Sequence, residues 1–551
     1  MQLLYRGGFV RSHGSGMFSF LPLGLRVLRN LKRIVAEEMD ALGGQEVSMP
    51  LVAPLDLFQR SRRAGLINRD MAGFLDRSGR KLVLSPTHEE AAVELVRPSL
   101  HSYRDLPIFV YQFQDKFRDE ARAHHGLMRA REFLMKDAYS FHRSFAELNN
   151  FFPRVFASYE RVFRRCRVPV VAAEAGVGYM GGDRSYEFLT YVDYGDDTVV
   201  ECPHCQYRAN SEVAVAISDV HAESPLPPST VQTGAGGRVD ELATSLEVGP
   251  SRIGKAMLFM AETGPVIVVV RGDREVSTEK LARILGEPVL RLAKREEVGG
   301  LGLDPRYLSP LGDLIPQLRA EHGLRVVVDQ AVSESSNLVL GTNSPGERMV
   351  NANFGRDYGA DLVGDVARVV PGQRCMFCGT SLDHRRAIEL GNIFRLGTHY
   401  SRRMGLRFQS EAGPPATPHM GSYGIGLGRL MLAIVEANHD NSGIRWPMEI
   451  APYPVFLMAI GRSPKVRDLC EDLYRSLPGE VLLDDRTESI SSKLKDADLL
   501  GIPVRIIVGA ESVADGHVEV MRRNTGSVDR VPMYALPQVL ADLQEEESRA
   551  V

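Results

Sequence analysis

The chain is poor in cysteine, with six in 551 residues. That is too few for a disulfide scaffold and points to a reducing, cytoplasmic setting. Long apolar runs are lacking too. Stretches such as Val266 to Val270 are far too short to cross a bilayer, so no membrane attachment is expected. The N-terminal Met-Gln-Leu-Leu-Tyr-Arg carries no signal-peptide pattern. No charge sign dominates: 66 Lys and Arg against 70 Asp and Glu give a net charge of -4. A protein that coats nucleic acid unspecifically is therefore not expected, although a local basic face is compatible with these numbers. There is no internal repeat and no heptad array.

What is present describes an ordinary globular protein. Hydrophobic residues make up 44% and charged residues 25%, and the length implies roughly three or four domains. Residues 23–44 read as an amphipathic helix, with Leu25, Leu28, Leu31, Val35 and Leu42 at helical spacing and Gly43-Gly44 as the stop. Glu46 to Pro50 reads as extended. Residues 108–142 mix strand-like runs with charged positions, as in an antiparallel sheet with polar groups on one face. Residues 210–250 are rich in Ser, Pro, Gly and Thr and read as a linker or a loosely structured entry.

From 253 to about 340 a compact unit is expected. Residues 256–260 and 266–270 form a hairpin through Thr263-Gly264-Pro265, Ser277 caps a helix ending before Gly286, and Val326 to Asp329 is a buried strand. Residues 451–551 alternate strand and helix, an α/β layer with a largely parallel sheet.

Three constellations carry chemistry. The first is Lys116-Phe117-Arg118-Asp119-Glu120, a short loop, then Arg129-Ala130-Arg131-Glu132-Phe133. Alone it reads equally as a charged surface hairpin. The second is Gly424-Ile425-Gly426-Leu427-Gly428-Arg429. A dinucleotide-binding turn needs Gly-x-Gly-x-x-Gly, which this run does not match. A glycine-packed helix start that brings Arg429 to a phosphate fits better. Two permanently charged guanidiniums in one pocket suit a triphosphate. The third is Ser85-Pro86-Thr87-His88-Glu89-Glu90. Extended, Thr87 and Glu89 point to one side and can hold a cationic amine; the local sequence favours a helix N-cap instead.

The six cysteines include two Cys-x-x-Cys knuckles, Cys202/Cys205 and Cys375/Cys378, about 170 residues apart. Together they can complete a tetrahedral structural Zn²⁺ site; the other reading is four thiols without metal. Cys166 and Cys470 read as core residues, and His124-His125 as solvated loop residues. Arg60, Arg62, Arg63 and Arg69 form a basic stretch, either a nucleic-acid contact or a solvated face.

The first two constellations have the form of motifs 2 and 3 of class II aminoacyl-tRNA synthetases. Nearly the whole chain resembles bacterial-type prolyl-tRNA synthetases. The resemblance is carried by Thr87-His88-Glu89, by the segment Phe117 to Phe141, by Met420-Gly421-Ser422-Tyr423-Gly424-Ile425-Gly426, by Phe20-Leu21-Pro22-Leu23-Gly24, by Gly397-Thr398-His399-Tyr400-Ser401 and by Gly443-Ile444-Arg445-Trp446-Pro447. It implies an α+β fold: an antiparallel catalytic sheet flanked by helices (1–208, with motifs 1 and 2, and 373–450, with motif 3), an inserted α+β editing-like domain (209–372) and a C-terminal α/β anticodon-binding domain (451–551). It implies L-proline and tRNA(Pro) as substrates, ATP with Mg²⁺, a cytoplasmic homodimer and no nucleophilic side chain.

Residue by residue, the resemblance places Arg118, Glu120, Arg129, Phe133 and Arg429 on ATP, with Arg118 and Arg429 catalytic. Thr87 and Glu89 would bind the imino group, and Glu132, Thr398 and Ser422 would lie beside the proline pocket. Pro50 would sit at the dimer interface. Lys255 and Asp329 fall on the editing lysine and aspartate. The two rivals are an enzyme that passes activated proline to something other than tRNA, and a non-catalytic tRNA-binding paralogue. The anticodon-type domain argues against the first, and intact Arg118, Glu120 and Arg429 against the second.

Several positions depart from the family. The glycine-rich editing loop Thr-Gly-Ala-x-Pro-Gly-x-x-Gly-Pro is Leu301-Gly302-Leu303-Asp304-Pro305-Arg306-Tyr307-Leu308-Ser309-Pro310 here, and a family histidine is Arg348. Glycines allow close approach to a small substrate; Arg306 and Ser309 do not, so editing of alanyl-tRNA(Pro) is expected to be weak or lost. Asn392 stands where His is usual and Ser422 where Cys is usual. Glu488-Ser489-Ile490-Ser491-Ser492-Lys493 replaces Glu-Arg-Pro-Gly-Val-Lys near the expected anticodon site, which predicts reduced tRNA affinity. The chain begins close to the first motif without the usual leader. These departures suggest a divergent or second copy.

Overall fold

The computed structural model describes residues 1–67, 71–234, 238–461 and 463–549. They form two compact units. One comprises Met1–Val171, Phe188–Thr190 and Glu389–Val551, the other Ala172–Glu187 and Tyr191–Ile388.

The first unit is organised by strands Ile108–Phe117 and Glu132–His142, antiparallel with Gln112 opposite Asp137. His419–Gly426 pairs antiparallel on the far side, with Ser422 opposite Tyr139 and Gly424 opposite Asp137. The later part of Asp383–Gly397 follows, with Asn392 opposite Gly424. At the other edge the short strand Gln45–Glu46 pairs parallel with Val110 and Tyr111. The extended reading of residues 46–50 thus keeps only its first residue in a strand.

Alternation across this sheet separates two kinds of surface. Phe109, Tyr111, Ala138, Ser140, Tyr423 and Ile425 share the face that packs on helix Phe145–Arg165, where Phe109 meets Phe151 edge-on with centroids 5.1 Å apart. The opposite face carries Gln112, Lys116, Phe133, Asp137, Tyr139 and Ser422, with Gly424 and Gly426 leaving it uncrowded. This is the polar floor expected from the sequence.

Helix Pro22–Asp40 starts with proline at its first turn and buries Val27, Leu28, Leu31, Ile34, Val35 and Met39. Leu25 lies off that stripe and is exposed. Residues after 450 form a five-stranded sheet in the order Val481–Asp484, Val455–Ala459, Val504–Val508, His517–Arg522, Val528–Pro532. The first three are parallel and the last two antiparallel, so the sheet is mixed rather than largely parallel. Fully buried Trp446 leads into it and packs on Phe9 at 5.3 Å.

In the second unit the expected hairpin spans Gly254–Ala261 and Gly264–Arg271. Arg325–Asp329 lies parallel beside it. The Ser277 hydroxyl accepts from Lys280 N at 3.2 Å, and the helix it caps ends at left-handed Gly286. The stretch read as a linker holds strand Ser229–Gln232 and helix Val239–Ser245. That strand pairs with Glu347–Ala352, more than 100 residues away, and such distant pairing leaves no local trace. Among the described residues no helix is long and apolar enough to cross a membrane.

Candidate active site

Arg118 follows the end of strand Ile108–Phe117, and its backbone N–H donates to Arg131 O at 2.8 Å, closing the base of the motif 2 loop. Its guanidinium lies 5.2 Å over the Phe133 ring, and Nε donates to Pro86 O at 3.4 Å. Across the loop Arg129 Nε donates to Glu120 Oε2 at 2.9 Å. Arg429 enters from the other motif. Strand His419–Gly426 ends at Gly426, which is the N-cap of helix Leu427–Ala437. Arg429 Nε donates to Met128 O at 2.9 Å, inside the motif 2 loop, and Nη1 donates to Glu389 O at 2.6 Å and Oε2 at 3.0 Å. One loop therefore ties both arginines together, although they are 311 positions apart in sequence.

The Thr87–Glu89 segment opens a helix, as the local sequence favours, but without a side-chain cap. Helix Glu89–Val96 begins at Glu89 with His88 as N-cap, and no side chain caps it. Thr87 and Glu89 instead converge on one buried guanidinium. Arg63 Nη2 donates to Thr87 Oγ1 at 2.5 Å, and Nη1 donates to Glu89 Oε2 at 3.0 Å and to Tyr400 OH at 2.5 Å. Ser422 donates to the other Glu89 oxygen at 2.9 Å. Glu90 Oε1 lies 3.6 Å from Arg63 Nε and accepts from Ser61 Oγ at 2.6 Å. Burial pushes the Glu90 carboxyl up despite Arg63 beside it.

Arg63 corrects the reading of its stretch as basic surface: its side chain is 0% exposed. Helix Leu55–Arg60 ends where Arg62 takes a left-handed φ of 62°, so Arg62 faces solvent and Arg63 turns inward. Arg60 is exposed and pairs with Glu94 at 2.8 Å, and Arg69 lies outside the described residues. Sequence reasoning missed Arg63, Tyr400 and Glu90. The one available signal was an arginine of a basic run next to a turn, ahead of two adjacent glutamates.

A second buried network centres on Asp137. Lys116 Nζ donates to Asp137 Oδ1 at 2.7 Å, and Tyr139 OH donates to Asp137 Oδ2 at 2.8 Å. Gln112 donates to Asp137 Oδ2 at 2.9 Å and accepts from Met49 N at 2.8 Å. His88 Nε2 lies 3.1 Å from Pro50 O, and Pro50 itself is exposed. Burial, then the nearby Lys116 charge, holds the His88 imidazole down at about 4, so it is neutral at pH 7. Glu132 is exposed and Thr398 half-buried; neither side chain hydrogen-bonds the Arg63 cluster among the described residues.

In the second unit, Cys202, Cys205, Cys375 and Cys378 bring their sulfurs within 4.8 Å of one another. The Cys202–Cys378 and Cys205–Cys375 separations are 3.4 and 3.6 Å. Four thiolates around zinc at about 2.3 Å are about 3.8 Å apart, so the donor set fits that ion. Cys166 and Cys470 are buried, as expected. Lys255 pairs with Glu275 at 2.7 Å. Asp329 accepts from Ala331 N, Val366 N and Ala367 N at 3.0 to 3.1 Å, which occupies its carboxylate with backbone. Buried Arg348 donates to Arg306 O at 2.5 Å and lies 4.8 Å over the Tyr307 ring.

The chain has counterparts among known proteins. Residues 72–438 match the tRNA synthetase class II core domain (G, H, P, S and T), and residues 454–543 match an anticodon binding domain. The chain belongs to the class II tRNA synthetases. Among these, it is 39% identical over 548 residues to the proline–tRNA ligase of Desulfotalea psychrophila, covering 98% of this chain and 94% of that protein. It is 39% identical over 553 residues to that of Moorella thermoacetica, covering 99% and 95%. It is thus a member of the bacterial-type proline–tRNA ligases. The crystal structure of prolyl-tRNA synthetase from Cryptosporidium parvum complexed with L-proline and AMP shares the fold, with TM-score 0.58 and 13% identity, covering 100% of this chain and 75% of that one.

Proposed function

We propose that this chain activates L-proline with ATP and transfers it to tRNA(Pro). The proline carboxylate attacks the α-phosphate and pyrophosphate leaves; a terminal tRNA hydroxyl then attacks the adenylate and AMP leaves. Arg118 and Arg429 neutralise the charge that develops on phosphate, with Mg²⁺ alongside ATP. Glu120 accepts from the adenine side, Phe133 stacks on the base, and Arg129 reaches the outer phosphates or tRNA. Thr87 and Glu89 hold the imino group beside Ser422, with Glu132 and Thr398 at the rim. The enzyme works in the cytoplasm as a homodimer, with exposed Pro50 at the interface.

The reading rests on one observation. Ser422 donates to Glu89 at 2.9 Å from the same strand whose end delivers Arg429. Amino-acid and nucleotide contacts are thus built on one strand. Proline-dependent exchange of pyrophosphate into ATP tests it. Proline is expected to exceed alanine about 100-fold in kcat/KM, the scale that small apolar differences allow. No proline-dependent exchange would overturn the reading.

The inserted segment is read as an editing-like domain with weak or no activity. In support, Asp329 accepts from three backbone donors, Lys255 is paired with Glu275, and Arg348 fixes the altered loop through Arg306 and Tyr307. Alanyl-tRNA(Pro) deacylation is expected at background rate, and turnover typical of the family would refute this.

The four clustered cysteines are assigned a structural zinc. Purified protein is expected to carry about one zinc per chain, and Cys378→Ser to lose it together with stability. Metal-free protein of unchanged melting temperature after chelation would remove the assignment.

A further inference from the structure

We propose that Arg63 and Glu90 form a buried charge frame that positions Glu89 and leaves the proline pocket one positive charge short. The proposal deepens the functional reading above and rests on Thr87 and Glu89 being the imino-group contacts. Arg63 holds one oxygen of Glu89 and Ser422 holds the other, so the carboxylate cannot rotate. The same guanidinium fixes the Thr87 hydroxyl, and Tyr400, on helix His399–Arg403, anchors it as well. Arg63, Glu89 and Glu90 have side-chain exposures of 0%, 2% and 1%. Two carboxylates against one guanidinium leave a surplus negative charge in a water-poor place. Buried charge of one sign is costly until it is paired. Burial, and after it the neighbouring Glu89 charge, pushes the Glu90 carboxyl up, with Arg63 opposing.

A secondary ammonium at Thr87 and Glu89 makes the cluster neutral; an ether or hydrocarbon ring of the same shape does not. Arg63 is therefore a positioning residue that acts through Glu89, and the cluster is a filter for the cationic amine of the ligand. Lysine cannot replace Arg63, because its single ammonium cannot hold Thr87, Glu89 and Tyr400 with fixed fork geometry.

The test is pyrophosphate exchange by the full-length wild-type chain, Arg63→Lys and Glu90→Gln. Arg63→Lys is expected to raise the KM for proline about 30-fold or more while kcat and the KM for ATP stay within about threefold. Glu90→Gln keeps the Ser61 acceptor and removes the charge, while placing an amide NH2 where Glu90 Oε2 has no hydrogen-bond partner; it is expected to raise the KM for proline about tenfold. Tetrahydrofuran-2-carboxylate, with oxygen in place of the ring nitrogen, is expected not to inhibit the wild-type chain at concentrations near the KM for proline. A purely structural role for Arg63 would lower the active fraction, and hence kcat, with both KM values unchanged. That result, or inhibition by the ether as strong as proline binding, overturns the proposal. Should Arg63→Lys not fold, Glu90→Gln decides: an unchanged KM for proline rejects the frame. The wild-type control separates the two levels. Inactivity there overturns the functional reading and the frame with it, whereas wild-type activity with unmoved KM values in the variants overturns the frame alone.

Discussion

Arg118→Ala is expected to lower kcat for proline-dependent pyrophosphate exchange about a thousandfold, with little change in melting temperature. Removing one preorganised group that meets developing charge costs about 10²–10³ in rate, or roughly 3–4 kcal/mol. Folding loses little, because the Arg118 side chain makes one long hydrogen bond, at 3.4 Å to Pro86 O, and a stack on Phe133. Arg429 behaves differently. Its guanidinium makes three hydrogen bonds that tie the motif 2 loop to Glu389. Arg429→Ala should therefore lose activity and also loosen the loop, seen as faster amide exchange over residues 119–131. An Arg118→Ala enzyme within tenfold of wild type would remove this residue from phosphate chemistry.

The second large effect is acid lability between about pH 6.5 and 4.5. His88, His142 and His399 are each held down to about 4, in each case by burial first. Their unfolded values lie near 6.5. In this window the unfolded chain takes up protons that the folded chain refuses. The stabilisation is complete above pH 6.5 and is lost as pH falls toward 4. Each histidine contributes up to about 1.4 kcal/mol per pH unit, on the order of 5–10 kcal/mol for the three across the window. His399 is the most exposed of the three and contributes least. That total is comparable to the whole stability of a domain. Urea midpoints at pH 7.0, 5.5 and 4.5 should fall steeply, and His142→Phe should flatten the profile. A pH-independent midpoint over this range would contradict the burial of these rings.

Features set by local pattern are legible in the amino-acid sequence itself. The alternation in residues 108–142 foretells a sheet with one polar face, and Ser277 with Gly286 marks both ends of a helix. What cannot be read there depends on distant partners. Strand Ser229–Gln232 exists because Glu347–Ala352 pairs with it. The C-terminal strands at 517–532 turn antiparallel through hairpin geometry that composition does not announce. Arg63 is the sharpest case. A guanidinium in a basic run is ordinarily solvated, and only carboxylates 26 and 27 positions on, delivered by a helix start, make its burial tolerable. Thr87 and Glu89 read as a pair in the sequence, yet neither capping nor extension organises them. Their common partner does.

The most direct test of the central claim is charging of a tRNA(Pro) transcript with labelled proline by the purified chain. The account predicts prolyl-tRNA formation that depends on ATP and disappears in Arg118→Ala. Robust adenylate formation with no transfer to tRNA(Pro), or transfer of another amino acid in preference to proline, would contradict it.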